Sequence, residues 1–299
     1  MIFVWGLRED PTTRSVLTAL ARLDARVAFV NHADIARTDV RFTSDDADSC
    51  RFTCRDRSYE LADMSAAYLR PYNHRHYAGY VKPGDDAPAV GGAELVHHLI
   101  GAWAESTAAV VVNRPSAEAT NHSKLFQAMH IQASGFSVPA SLVTNVPDRV
   151  REFQARYGRV VYKSMSSVRS VVQELDASTL DVVGRMGPVL FQERVMGTNV
   201  RVHVVGDEAI ACAIKTDGVD YRYADATRLS RADLRPEIAE RCVTLAKKLG
   251  LVVAGLDLIV TPDGDWHCLE VNPNPAFSVF ELGEAQDIAQ RVAALLARP

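Results

Sequence analysis

The run from Gly255 to Asn274, Gly-Leu-Asp-Leu-Ile-Val-Thr-Pro-Asp-Gly-Asp-Trp-His-Cys-Leu-Glu-Val-Asn-Pro-Asn, constrains this chain more than any other segment. Pro262, Asp263, Gly264 and Asp265 are turn residues between two apolar runs, so the segment reads as an antiparallel hairpin. Pairing across that turn sets Thr261 opposite Trp266, Leu258 opposite Leu269 and Asp257 opposite Glu270. Opposed residues on one face have Cβ atoms about 5 Å apart, and two carboxylates there repel unless something positive lies between them. Asn272, two residues beyond Glu270, points to the same face. Hard oxygen donors suit Mg²⁺, which takes few protein ligands and completes its shell with water and nucleotide phosphates. Asp257, Glu270 and Asn272 are therefore the candidate metal ligands. The competing reading is a solvated hairpin with incidental acids, as Asp263 and Asp265 are. The interruption of otherwise apolar strands by Asp257 and Glu270 favours the site.

With 299 residues, 47% of them hydrophobic and 23% charged, the chain can bury substantial cores in two or three compact units. A formal net charge of -4 gives no global attraction to nucleic acid or to an anionic membrane, so neither is expected as a partner. The longest apolar stretches, Ala108 to Val112 and Leu251 to Leu256, fall far short of the roughly 20 residues needed to span a bilayer. The N-terminal Met-Ile-Phe-Val-Trp lacks the basic region of a secretory signal and reads as a first β-strand. Five cysteines form no Cys-x-x-Cys pair, which fits a reduced, cytoplasmic chain. Cys50 and Cys54 read as incidental thiols, because no matching Cys/His pair follows them.

The first third alternates short apolar strands with amphipathic helices: Ile2 to Trp5, a helix near Pro11 to Asp24 with Asp10 as its cap, then Val27 to Val30. The rhythm continues through Ala66 to Leu69, a helix around Ala93 to Ser106, and Ala108 to Asn113, and implies an open α/β layer. Tyr80 to Gly92, rich in Gly and Pro, reads as a loop. A second unit starts near Arg114-Pro115, with helices around Ser123 to Ser134 and Asp148 to Tyr157 and a strand Arg159 to Tyr162 that runs into Lys163. A third starts at Val189 and holds two hairpins, a helix from about Pro236 to Leu249 and a last one from about Ala285 to Ala297.

Arg201 interrupts the apolar run Val200, Val202, Val204, Val205 and shares a strand face with Asn199 and His203. An inward arginine there would orient a phosphate or carboxylate and stabilise charge developing during phosphoryl transfer; otherwise it is a surface cation on a strand. The remaining histidines, including His74, His76, His97 and His98, accompany no metal-ligand motif and read as structural.

The Leu-Glu-Val-Asn-Pro run, preceded across a turn by Gly-Leu-Asp-Leu, resembles the C-terminal metal-binding hairpin of the ATP-grasp superfamily. It resembles especially the ribosomal-protein glutamate ligase-like and peptide-maturing branches, and the resemblance extends from about Asn113 to the C-terminus. It implies an ATP-grasp fold of α/β lobes with the nucleotide between two of them. The N-terminal pre-ATP-grasp α/β domain would span residues 1–113, a central lid lobe 114–188, and the C-terminal lobe with the hairpin 189–299. By the same resemblance Gln192, Glu193, Arg194 and Val195 form the hinge that hydrogen-bonds adenine, Leu269 meets the nucleotide, and Lys124 and Lys163 contact its phosphates. Asn199 stands where the family is usually acidic, at a position that contacts ribose or substrate. Arg222, in Asp220-Tyr-Arg-Tyr223, would contact phosphate or acyl phosphate, with Lys215 helping and Asn274 touching substrate. Where the family places a glycine-rich loop after Lys163, this chain has Ser164-Met-Ser-Ser-Val-Arg-Ser170, whose hydroxyls can still donate to phosphate oxygens.

The resemblance implies an ADP-forming carboxylate-amine ligase that makes an amide or peptide bond through an acyl phosphate, with ATP and Mg²⁺, or Mn²⁺ in its place, as cofactors. Its partners would be a small-molecule carboxylate and an amine, or a precursor peptide, and the protein a homodimer. Two rivals stand beside it: a maturase that crosslinks side chains of a precursor peptide, and a non-catalytic ATP-binding regulator. The three metal-ligand candidates and both lysines argue against the regulator. No Gly-x-Gly-x-x-Gly follows the first strand, which argues against a dinucleotide-binding oxidoreductase.

Overall fold

The computed structural model describes residues 1–43, 46–54, 57–72, 87–163, 172–185, 187–216, 227–281 and 287–298. The chain divides into two compact units. The first comprises Met1–Glu118, Gly250–Val253 and Asn274–Pro299, and the second Ala119–Leu249 and Ala254–Pro273.

In the first unit the βαβ rhythm is realised as a parallel sheet of β1 (Ile2–Gly6), β2 (Val27–Asn31), β6 (Ala66–Arg70) and β7 (Val110–Val112), in the order β2-β1-β6-β7. Helix α1 (Pro11–Arg22) begins as its sequence implies: Pro11 occupies the first turn, and the Asp10 carboxylate accepts from the Thr13 N–H at 2.7 Å. Between β2 and β6 lies an antiparallel meander of β3 (Thr38–Thr43), β4 (Asp46–Cys54) and β5 (Arg57–Glu60), which the sequence reading left unassigned. Phe52 of β4 packs edge-on against Phe3 at 5.8 Å, and Phe3 does the same with Trp103, so meander and parallel sheet share one core. Cys50 and Cys54 sit four positions apart on an extended strand, about 13 Å, too far to share a metal.

Trp103 belongs to α2 (Ala87–Ser106), which starts earlier than expected: 87–92, read as loop, is helical, while 73–86, including His74 and His76, lies outside the described residues. Val96, Ile100 and Trp103, spaced by four and three, bury one face of α2, and that burial outweighs the local preference of Gly91 and Gly92. α3 (Pro115–Glu118) follows. Asn113, read as the end of a strand, is buried and ties down the chain at 252–253: its side chain accepts from the N–H groups of Val252 and Val253 and donates to the Val253 carbonyl at 2.7 Å. α8 (Asp287–Leu296) packs on α1 and β6.

At the C-terminal ends of β1 and β6, Arg70 donates to Asp10 at 2.9 Å and to the side-chain and backbone carbonyls of Asn274. Burial pushes Glu118 up to about 7, with the Arg70 charge opposing it.

The second unit contains two sheets. The first, in the order β10-β9-β11-β8, joins β8 (Ser141–Thr144), β9 (Val160–Lys163), β10 (Gln173–Glu174) and β11 (Val189–Glu193) antiparallel, and carries α5 (Pro147–Tyr157) and α6 (Ala177–Val183). Val150, Val160, Val183, Val189 and Phe191 form its core. The second sheet has five strands in the order β14-β13-β12-β15-β16: β12 (Thr198–Val205), β13 (Glu208–Thr216), β14 (Thr227–Ala232), β15 (Val253–Val260) and β16 (Trp266–Asn272). α7 (Pro236–Lys248) packs on β12 and β13, and α4 (Lys124–Ala133) on β16 and α7. Among the described residues no helix is long and apolar enough to cross a membrane.

The Glu118 environment sets a pH dependence. Between 4.5 and about 7 the folded chain holds a proton on Glu118 that the unfolded chain has released, so stability falls as pH rises through that window. Glu118→Gln should therefore shift the urea midpoint upward at about pH 8 and leave it nearly unchanged at about pH 4. A substitution effect equal at both pH values would mean that Glu118 does not carry this linkage.

Candidate active site

The hairpin forms where the sequence places it. β15 and β16 pair antiparallel, with Asp257 directly opposite Glu270 and Asn272 opposite Gly255. The pairing beyond Asp257 differs from expectation: Leu258 faces Cys268, not Leu269, and Trp266 faces Val260, not Thr261. A β-bulge causes the shift, with Leu269 as the additional residue. A bulge turns consecutive side chains toward one side, which strict alternation forbids. Cys268 and Val271 are accordingly buried, while Leu269 and Glu270 both remain half-exposed and Leu269 lines the neighbouring cavity.

That cavity, of about 230 Å³, lies between the two sheets of the second unit. Its walls include Lys163, the hinge residues Gln192 to Val195, Met196, Gly197, Asn199, Thr216, Ile259 and Leu269. An adjoining recess is lined by Lys124, Lys163, Gln192 and Leu269, so the two lysines flank one continuous region. Lys163 is buried at the end of β9, and Lys124 opens α4 just after its Ser123 cap. Gln127, one turn along α4, is buried and clamps β16: its side chain donates to the Val271 carbonyl at 2.7 Å and accepts from the Val271 N–H at 2.8 Å. The clamp holds the backbone between Glu270 and Asn272 against the helix that presents Lys124.

The hinge side chains are engaged structurally. Gln192 donates to the Ser141 hydroxyl at 3.1 Å, the Glu193 carboxylate accepts from the Ala140 N–H at 3.2 Å, and Arg194 pairs with Glu174 at 2.5 Å. Hydrogen bonding from Arg159, assisted by Arg194, holds Glu174 below the usual carboxylate range. The backbone N–H groups of Glu193 and Arg194 are also taken, by the carbonyls of Ala140 and Arg159. Val195, past the strand end, makes no backbone hydrogen bond to a described residue. Val195 lines the cavity, and its amide keeps hydrogen-bonding capacity that the neighbouring strand residues have spent.

Arg201 is 4% exposed and donates through Nη1 to Asp257 Oδ2 at 2.8 Å. Its Nε donates to His203 Nε2 at 3.4 Å. His203 is fully buried, and burial, reinforced by the Arg201 charge, holds its pKa well below the usual histidine range. Arg201 is thus not a surface cation: it neutralises one of the two opposed carboxylates. The Glu270 carboxylate has no hydrogen-bond or ion-pair partner among the described residues, so among those residues one negative charge of the pair is uncompensated. Asp257 and Glu270 oppose each other across the hairpin and Asn272 stands two positions beyond Glu270, an oxygen donor set whose chemistry suits a hard divalent cation. Arg222 and 164–170 lie outside the described residues.

Residues 143–296 match the family described as the RimK-like ATP-grasp domain. The chain belongs to that family. It is an ATP-dependent carboxylate-amine ligase, and ATP and Mg²⁺ are its cofactors. A probable alpha-L-glutamate ligase of Vibrio cholerae is 25% identical over 260 residues, covering 79% of this chain and 86% of that protein. One from Marinobacter nauticus is 27% identical over 194 residues, or 60% of this chain and 64% of that protein. Among solved structures, the ATP-grasp ligase PsnB complexed with minimal precursor, Mg and ADP is 28% identical, with a TM-score of 0.81 over 99% of this chain and 96% of that one. Macrocyclase MdnC from Microcystis aeruginosa, bound with precursor peptide MdnA, has the same fold, with a TM-score of 0.84 at 22% identity over 100% of both chains.

Sequence reasoning assigned no role to several cavity residues of this ATP-grasp ligase. Ile259 was accessible in principle, since it follows Asp257 by two on the same strand face. Thr216 carried no local signal. Gly197 is the most constrained: a Cβ there would lie 2.7 Å from Ile259 Cγ2 and 2.8 Å from the Val260 carbonyl carbon. The chain leaving the hinge presses on the end of β15, and only glycine permits the approach. Gly197→Ala should weaken ADP binding at least about tenfold, because the hinge must shift by a sizeable fraction of an ångström out of line with the cavity. Isothermal titration with ADP checks this; unchanged affinity in the folded variant would show that the hinge tolerates the displacement.

Proposed function

We propose that this ligase acts on a peptide, activating a carboxylate of a precursor and joining it to an amine or hydroxyl of the same peptide. The likeness to precursor-bound PsnB over nearly the whole chain, N-terminal unit included, is the observation that carries the peptide reading. The reading extends to the lobes expected from sequence, 1–113, 114–188 and 189–299, with β8, β9 and β10 in the lid lobe and β11, the strand of the same sheet that runs into the hinge, opening the last. Bound Mg-ATP supplies the γ-phosphoryl group that converts a carboxylate into an acyl phosphate, which the nucleophile attacks as phosphate leaves.

The chain's own groups position and stabilise charge. Asp257, Glu270 and Asn272 hold Mg²⁺. Lys124 and Lys163 offset phosphate charge at the recess they share. The Val195 amide meets the adenine edge, with Gln192, Glu193 and Arg194 keeping the hinge rigid, while Leu269 and Ile259 pack against the base. Asn199 contacts ribose. Arg201 fixes Asp257, and Arg222 is assigned to the acyl phosphate. Five free thiols support a cytoplasmic setting.

The glutamate-ligase relatives favour a second reading, addition of free glutamate to a peptide terminus. The two differ in product mass: ring closure removes one water per bond, whereas ligation adds a glutamyl residue. The protein is incubated with Mg-ATP and peptides carrying Asp or Glu together with Lys, Ser or Thr, with and without free glutamate. Phosphate release and mass spectrometry are the readouts. Peptide-dependent phosphate release with loss of water is expected, and Glu270→Gln should reduce it at least about 100-fold, since a bound metal contributes several kcal/mol of charge stabilisation. Release that survives the substitution would overturn the metal assignment, and a glutamyl adduct would replace the first reading with the second.

A further inference from the structure

Asp257 and Glu270 lie opposite each other on neighbouring strands, and one of them is held by a third strand. On β12, Asn199, Arg201 and His203 share a face by alternation. The Arg201 guanidinium is planar, always charged, and donates in fixed directions. One of those directions is taken by Asp257 Oδ2 at 2.8 Å and another, through Nε, by His203 Nε2 at 3.4 Å. A guanidinium only donates, so Nε2 must be the acceptor and the ring proton resides on Nδ1. The imidazole is 0% exposed and Arg201 only 4%, so water cannot substitute for this bond without opening the core.

We propose that His203 is a positioning residue for the metal site: its Nε2 fixes the roll of the Arg201 guanidinium, and the guanidinium holds Asp257 with one carboxylate oxygen turned toward Glu270. The proposal rests on the reading that Asp257 and Glu270 bind the cation. A guanidinium anchored at one point only can swing with the carboxylate it holds. Anchored at Nε as well, it presents Asp257 in one orientation, which preorganises the oxygen pair. Buried networks of this kind contribute more than their separate bonds, because each unsatisfied group left behind in the core is costly.

The test uses the full chain with ADP and Mn²⁺ as probes, following Mn²⁺ binding by electron paramagnetic resonance and metal-free ADP binding in chelator. Wild type should bind Mn²⁺ with ADP, and Glu270→Gln should lose that binding; if it does not, the metal-site reading itself fails. His203→Leu, which removes the acceptor, should weaken Mn²⁺ binding about tenfold and leave metal-free ADP affinity within about twofold, the range found when residues supporting metal ligands are removed. His203→Gln, whose side-chain carbonyl can accept from Nε, should restore most of the affinity. In an Arg201→Gln background His203→Leu should have little further effect, because the partner through which it acts is gone. His203→Met serves as the apolar variant should the leucine fail to fold. Equal losses in the Leu and Gln variants, equal losses of metal-free ADP binding, or unaltered Mn²⁺ affinity in the apolar variant would each overturn the proposal.

Discussion

The second unit is organised around an electrostatic conflict: Asp257 and Glu270 are placed opposite each other by hairpin register, at a separation where like charges destabilise a sheet. One half of the conflict is resolved internally. Arg201, buried on the adjacent strand, compensates Asp257, and breaking a largely buried pair of this kind typically costs about 3–5 kcal/mol. The other half is left open among the described residues, where the Glu270 carboxylate has no partner. A cation that binds there adds stability only to the folded state, so metal binding and the integrity of this sheet are thermodynamically linked.

The geometry around that pair is maintained by backbone constraints. The Gln127 side chain bonds both polar groups of Val271 and thereby fixes β16 between Glu270 and Asn272. The bulge at Leu269 lets two neighbouring residues serve one face, so a carboxylate and an apolar residue that lines the cavity come from consecutive positions. Gly197 brings the hinge against β15 at a distance no side chain allows. Each feature acts at main-chain level, where positions are set more tightly than on an exposed loop.

Much of this was legible in the sequence because two periodicities carry it. The hairpin, the parallel βαβ layer and the helices α1, α4, α5 and α7 follow from apolar spacing and from caps such as Asp10 and Ser123. The pairing of Asp257 with Glu270 came out right because two offsets cancelled: the expected register set Thr261 rather than Val260 opposite Trp266, and the extra residue of the bulge at Leu269 made up that one-residue difference, while the partner of Leu258, on the turn side, was misplaced, since a bulge leaves no mark in a residue pattern. The meander of β3 to β5 was hidden by its polar sequence, in which Cys50 and Phe52 are buried and Val40, Cys54 and Tyr59 pack against the same core. The start of α2 was hidden by Gly91 and Gly92, whose local preference yields to the burial of Val96, Ile100 and Trp103. The Arg201 to His203 contact was half visible, since alternation gave the shared face but not which group the guanidinium meets.

Under the proposed function, hinge and hairpin solve different recognition problems, and their residues are used differently. At the hinge the side chains of Gln192, Glu193 and Arg194 are tied to Ser141, Ala140 and Glu174, while Val195, which lines the cavity, makes no backbone hydrogen bond to a described residue. Recognition through a backbone amide constrains chain path rather than residue identity, so a different side chain at Val195 would preserve the contact provided the path is kept. At the hairpin the reverse would hold: the proposed donors are side-chain oxygens, and the number, charge and orientation of such donors set affinity for a hard cation. Substitution is therefore tolerated at one end of the site and not at the other. The glycine at 197 is the exception, because there residue identity is what permits the path.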